Sequence, residues 1–256
     1  MKWEHKCSLE WLERRQHYLT ASEVKRLLPV TNTGRKRNID TVDYMKVMAN
    51  KVRTLTAEDC MSYGAAARGH ILEPYAIATL NQELSINKVP TNVFWWDDEI
   101  IPMHPYVEGS LAFSPDGLDI LPIDYHEHAA SPSVMAEVKC YSDEHHLITA
   151  LTPKERLEER WQIATGMAVC LSIERAYLVL FDPDLGRWDR CFIIEYERKD
   201  LEDEIETVLE VEERWAEFLK DYRTASIIPP KRLVISASWD ARQIEEDVLS
   251  SKGLNP

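Results

Sequence analysis

No stretch of this 256-residue chain is apolar for long enough to span a bilayer, which takes about 20 consecutive apolar residues. The opening Met1-Lys-Trp-Glu-His-Lys-Cys7 has none of the apolar core of a secretory signal. Cysteine is sparse: Cys7, Cys60, Cys140, Cys170 and Cys191 are odd in number, scattered, and form no Cys-x-x-Cys pair. Such spacing supplies neither a zinc site nor a disulfide framework. Together with the N-terminus it points to a reducing cytoplasm. Internal repeats and low-complexity segments are also absent. What remains is a globular composition, 45% hydrophobic, which suits a single domain with a substantial core.

Positive charge is short as well. A net charge of −14, taken whole, argues against a nucleic-acid binder. Its distribution reverses that reading. Residues 1–70 hold 13 Lys and Arg against 8 Asp and Glu, whereas the remaining 186 hold 17 against 36. The first third is therefore the expected phosphate-facing part, with Arg14-Arg15, Lys25-Arg26 and Arg35-Lys36-Arg37 as its basic clusters. Arg14, Arg35, Lys36 and Arg37 are the expected DNA contacts, against the plainer reading of Arg35–Arg37 as an exposed loop. Most of the acidic surplus is expected to be solvated surface.

Periodicity and breakers give a coarse map. Residues 9–28 read as helix, turn, helix, with Thr20-Ala-Ser-Glu23 as a capping box and Pro29 as the stop. Residues 40–53 and 57–83 read as helical, with Gly64, Gly69 and Pro74 as interruptions and a bend or helix start near Glu73. Strands are expected over 92–101, 107–113, 118–122 and 134–141. A polar loop at 124–133 carries His126 and His128, read as an exposed tip rather than a metal site. A helix follows over 154–171, then strands at 175–182 and 190–197. Leu201, Ile205, Val208, Trp215, Leu219 and Tyr222 mark a long acidic amphipathic helix. The expected class is α/β, a mixed sheet flanked by helices. The expected organisation is one domain over 1–256: a basic helical part at 1–90, a sheet-containing core at 91–200, and a C-terminal helix and tail.

Chemistry concentrates in Ser114-Pro115-Asp116-Gly117, followed by Glu137-Val138-Lys139. A carboxylate at a turn and another on a strand offer the oxygen ligands a hard cation such as Mg²⁺ prefers. Side chains alternate along a strand, so Glu137 and Lys139 share one face and Val138 takes the other. The Val138 carbonyl is then available as a further ligand. Either half alone is weak, since Pro-Asp-Gly is a common turn and Glu-x-Lys a common cross-strand pair. Order and spacing together are more specific.

Pro-Asp…Glu-x-Lys resembles the signature of the restriction-endonuclease-like nuclease superfamily, and further blocks resemble its phage lambda-type alkaline exonucleases (the YqaJ-like viral recombinases). Those blocks are Trp11, Arg15 and Thr20–Glu23; Gly69 with Leu72-Glu73-Pro74-Tyr75-Ala76; Ser114–Leu118; Glu137–Lys139; and Gln162 within Arg-Trp-Gln-Ile-Ala-Thr-Gly-Met. The resemblance covers roughly residues 11 to 200. It implies a restriction-endonuclease-like core and a Mg²⁺-dependent enzyme, one or two ions with Mn²⁺ as a substitute, digesting one strand of duplex DNA from its 5′ end. It also implies a ring-shaped homotrimer, a single-strand annealing protein as partner in recombination, and a phage or prophage origin in a bacterial host.

By the same resemblance, Asp116 and Glu137 ligate metal with the Val138 carbonyl, and Lys139 orients water or offsets phosphate charge. Glu73 holds a metal-bound water or a second ion; its plainer reading is a buried glutamate paired with Arg68. Arg15, Ser22, Ser114 and Gln162 match positions that hold a 5′-terminal phosphate. Ser22 lies in the first turn of a capped helix, where free N–H groups favour an anion. One departure is the segment Gly64-Ala-Ala-Ala-Arg-Gly69, which has no bulky side chain where the family places a strand-separating wedge; Met61 or Tyr63 are the substitutes. An endonuclease of the same superfamily is the alternative. A catalytically dead DNA-binding module would need one of Asp116, Glu137 or Lys139 to be missing. An iron–sulfur branch would need clustered C-terminal cysteines.

Overall fold

The computed structural model describes residues 18–31, 35–52, 65–96, 101–102, 110–121, 131–143, 157–185 and 190–227. The chain divides into two compact units, Met1–Ala216 and Glu217–Pro256.

The first unit is organised by a five-stranded sheet of order β2-β5-β6-β7-β8. Its centre is β6 (Val134–Cys140) beside β7 (Arg175–Phe181), parallel and in register from Val134↔Arg175 to Cys140↔Phe181. Parallel neighbours need a long crossover, and α4 (Leu157–Val169) lies in that connection. Covered on both faces, β7 has the near-continuous apolar run of a central strand: Ala176 through Phe181 are all buried. After a turn at Asp182–Leu185, β8 (Cys191–Glu197) returns antiparallel.

Strand alternation sorts the two faces. Val134, Ala136 and Val138 join Tyr177, Val179 and Phe181 under α3 (Ala65–Ile86), which contributes Ala76, Ile77, Leu80 and Leu84. Met135 points the other way, against α4: a Cβ on Gly166 would meet Met135 Sδ at 2.8 Å. Glu137 and Lys139 share the phase of Met135, so they lie on the α4 face.

A smaller sheet, order β1-β4-β3, stands beside it. Here β1 (Leu19–Thr20) pairs parallel with β4 (Leu111–Phe113), and β3 (Ile101–Pro102) pairs antiparallel with it. Ser114–Asp116 then carries the chain from β4 into the large sheet at β5 (Gly117–Leu118), which is held between β2 (Phe94–Trp95) and β6. A short helix α1 (Ala21–Val24) and α2 (Thr41–Val52) complete this side. A 3₁₀ turn, Arg198–Leu201, leads into α5 (Glu202–Ile227). Within the first unit α5 buries Ile205, Val208, Val211 and Trp215, and Trp215 stacks on Tyr44 of α2. In the second unit Phe218 stacks on Tyr222.

Several expectations change. Leu19–Thr20, expected as the turn that leads into the capped helix, is a short strand, because the buried Leu19 finds a ladder partner in Leu111. The capping box holds: Glu23 Oε2 accepts from the Thr20 N–H at 3.0 Å. The expected interruption near Glu73 is absent, and α3 runs through Gly69 and Pro74. Pro74 forfeits only the bond to the carbonyl four residues earlier, while the helix is fixed on both sides by Leu72, Ala76 and Ile77 against the sheet. The strand expected at 118–122 shrinks to Gly117–Leu118. Residues 9–17, Met61, Tyr63, Gly64, His126 and His128 lie outside the described residues. Among the described residues, no helix is long and apolar enough to cross a membrane.

Candidate active site

The site is built where β5 stops. Its ladder with β6 ends at Gly117↔Ala136, leaving the next β6 amide on that edge, Val138, without a strand partner there. The Asp116 carboxylate takes that place: its Oδ2 accepts the Val138 N–H at 2.8 Å. Asp116 is held by its own backbone too, since its carbonyl accepts the Trp96 N–H at 3.0 Å. Gly117 is required by packing rather than by turn geometry. A Cβ there would lie 2.6 Å from Val93 Cγ1 and 2.9 Å from Ile77 Cδ1, so only glycine lets α3 close down beside Asp116.

In an extended strand the N–H and C=O of one residue leave on the same edge. The Val138 carbonyl therefore faces the edge occupied by Asp116. Glu137 is next along, and both carboxylates are 8% exposed. Lys139 Nζ donates to Glu137 Oε1 at 2.8 Å, as the shared strand face requires. Burial opposes a charge on Lys139. The fields of Glu137 and Asp116, with a smaller one from Glu159, outweigh it and raise the ammonium pKa above the usual lysine value.

Glu73 sits on the sheet-facing side of α3, three and four residues before Ala76 and Ile77. Its carboxylate approaches His70 Nδ1 at 3.5 Å. The pairing with Arg68 that its plainer reading required does not form. Arg68 instead donates to the Tyr141 carbonyl and to Asp182 and Asp184, at 3.4 and 3.1 Å. Cys140, on the α3 face of β6, reports both acids: burial first, then the fields of Glu73 and Asp116, push its thiol up to about 12.

Sequence reasoning missed Glu159. It lies on α4, over the face that carries Lys139, and its Oε2 is buried with no hydrogen-bond partner among the described residues. Burial raises its carboxyl above the usual range, while Lys139 pulls it down. The available signal was its place three residues before Gln162, but nothing local says that this helix crosses the Lys139 face.

The remaining candidates fall into two groups. Ser22, half-buried in α1, lies 3.3 Å from the Thr20 hydroxyl. α1 packs against α4, where Lys25 pairs with Glu158 at 2.6 Å and Gln162 follows one turn on. Ser114 is half-buried two residues before Asp116. Arg14 and Arg15 lie outside the described residues. Arg35–Arg37 form a return rather than a plain loop: Val30 bridges Lys36, the Arg37 N–H bonds the Pro29 carbonyl, and Arg37 Nη2 bonds the Arg26 carbonyl and Asp43, each at 2.9 Å. Arg35 and Lys36 are exposed.

The donor set fits a hard divalent cation. The Asp116 carboxylate, the Glu137 carboxylate and the Val138 carbonyl are neighbouring donors, all oxygen. Among the described residues no three His, Cys, Asp or Glu side chains cluster at metal spacing. Mg²⁺ tolerates that, because it binds through one or two carboxylates and keeps waters or phosphate oxygens for the rest.

No protein-family model matches the chain, and no curated protein does. Among solved structures it is similar to the crystal structure of an alkaline exonuclease (LHK-Exo) from Laribacter hongkongensis, with 23% identity and a TM-score of 0.54 over 85% of this chain and 99% of that one. LHK-Exo in complex with dAMP gives 24% identity and the same TM-score and coverage. At that identity the likeness establishes a shared fold, a mixed sheet flanked by helices consistent with a restriction-endonuclease-like core.

Proposed function

We propose that this chain is a Mg²⁺-dependent nuclease that digests one strand of duplex DNA from its 5′ end. The observation that supports this reading is the Asp116 carboxylate on the Val138 N–H, one residue along β6 from Glu137 and its partner Lys139. Its fold is shared with LHK-Exo, a protein described as an alkaline exonuclease and solved with dAMP.

The reaction is attack of water on phosphorus with the 3′ oxygen leaving. Asp116, Glu137 and the Val138 carbonyl would hold Mg²⁺, which lowers the pKa of water and offsets the charge gathering on the phosphoryl oxygens. Lys139 supplies a fixed ammonium to the same oxygens, and Glu137 keeps that ammonium in place. Glu73 holds a metal-bound water or helps to ligate a second ion. Arg15, Ser22, Ser114 and Gln162 grip the terminal 5′ phosphate, which makes the cut begin at an end. Arg14, Arg35 and Lys36 contact the backbone beyond it, while Arg37 is held by Asp43 and the Arg26 carbonyl. The product, a duplex with 3′ single-stranded overhangs, is the substrate of strand annealing. A homotrimer acting with a single-strand annealing protein, in the cytoplasm of a bacterial host, completes the reading.

The deciding experiment offers 5′-labelled, 3′-labelled and circular duplexes with Mg²⁺. Release of the 5′ label first, with circles untouched, is expected. Linearised circles would replace the exonuclease by an endonuclease of the same superfamily, and prior release of the 3′ label would reverse the polarity.

A further inference from the structure

Outside the active site, a cationic concavity among the described residues lies between the end of α1 and the exposed side of α2. It is a groove of 520 Å³ walled by Arg26, Arg37, Lys46 and Asn50, with Asp43 as its one acid. Three cations against one anion is exceptional in a chain of net charge −14. Their availability differs. Arg37 is spent on Asp43 and on the Arg26 carbonyl, both at 2.9 Å. Lys46 only grazes Asp43, at 3.7 Å, and its side chain is 70% exposed. Arg26 is exposed and has no ion-pair partner among the described residues. Asn50, exposed and one turn beyond Lys46, adds an amide donor. The groove therefore carries two uncommitted cations and a neutral donor on rigid backbone, braced by an internal Arg37–Asp43 pair.

Its location is fixed by an ion pair. Lys25, beside Arg26, bonds Glu158 of α4, and the next residue, Glu159, lies within the field of Lys139. Arg26 thus projects from the same helix junction that flanks the candidate active site.

We infer that this groove binds the sugar–phosphate backbone of the duplex, with Arg26, Lys46 and Asn50 as the contacting side chains. The inference rests on the DNA-nuclease reading. The cations and the amide take phosphate oxygens and read no base, so the contact is independent of sequence. It holds the undigested duplex while the end is trimmed.

Duplex binding measured by fluorescence anisotropy tests this, using a 30-base-pair blunt duplex in EDTA across a potassium chloride series. Arg26→Ala and Lys46→Glu are each expected to weaken binding about tenfold at low salt and to reduce the salt slope by about one. Lys46→Arg should keep wild-type behaviour, because only the charge is used. Should Arg26→Ala fail to fold, judged by circular dichroism, the exposed Lys46 pair decides. Unchanged slopes beside a wild type that binds would overturn the groove alone. A wild type that neither binds nor digests the duplex would overturn the nuclease reading, and the groove with it.

Discussion

Lys139 enters its site as a cation because two acids lie near it, and one of them, Asp116, also holds the strand edge at Val138. Asp116→Asn keeps a carbonyl oxygen for the Val138 N–H but removes the charge. It should fold normally and lose digestion by about 10³-fold or more, within the range for losing electrostatic stabilisation of a transition state. Lys139→Ala should lose about 10²- to 10³-fold for the same reason. Single-turnover rates with melting curves check both; near-normal rates from a folded Asp116→Asn would remove the metal-edge mechanism. Cysteine chemistry gives a second test at this scale. Burial pushes the Cys140 and Cys191 thiols up to about 12, from an ordinary 9.0. The thiolate is the reactive form, so at pH 8 both should alkylate far more slowly in the native protein than after denaturation, as read by peptide mass mapping. The raised values also fix a sign. The folded state holds these protons more tightly, so the stability they confer is complete below pH 9 and is lost as pH rises towards 12. Melting temperatures that rise over that interval in the wild type, but not in a Cys140→Ala, Cys191→Ala double variant, would contradict the assignment.

Among elements, β5 matters through its shortness. Two residues suffice to align Gly117 with Ala136, and stopping there opens the β6 edge that Asp116 fills. Gly117→Ala forces a methyl into Val93 and Ile77, the nearest contact being 2.6 Å. Overpacking of this kind costs about 1–3 kcal/mol, and relief must come from moving β5 or α3. The expected result is a lower melting temperature together with reduced digestion, since β5 carries Asp116. A stable Gly117→Ala protein with full activity would mean that β5 does not set the geometry. Much of this level was legible beforehand. The strands at 175–182 and 190–197 and the long acidic helix follow from period-2 and period-3.6 patterns that neighbours reinforce. Pro74 and Leu19–Thr20 were misread for a common reason. Local rules predicted a break in one and a turn before a capped helix in the other, and packing against distant strands overrode both.

For the whole molecule, charge is segregated. The basic third brings Arg26, Arg37 and Lys46 together at α1 and α2, while the exposed side of α5 carries Glu202, Asp203, Glu206, Glu210 and Glu213. On the nuclease reading, such a polarised surface would orient a duplex as well as attract it. If the proposed ring forms, sedimentation should give three times the 29.7 kDa chain mass, independent of dilution over the working range; a monomer that digests at full rate would retire the ring.

The sequence by itself determined the chemistry on offer: an acid at a turn, an acid and a lysine on one strand face, and a basic first third. Those are local or compositional properties, set by alternation, turn residues and counting. Only the tertiary structure decided that Asp116 replaces a missing strand at Val138, that Glu159 stands over Lys139, and that Arg37 is consumed while Arg26 and Lys46 are not. Each of those depends on which distant segments share an edge or a face, and no local periodicity encodes that.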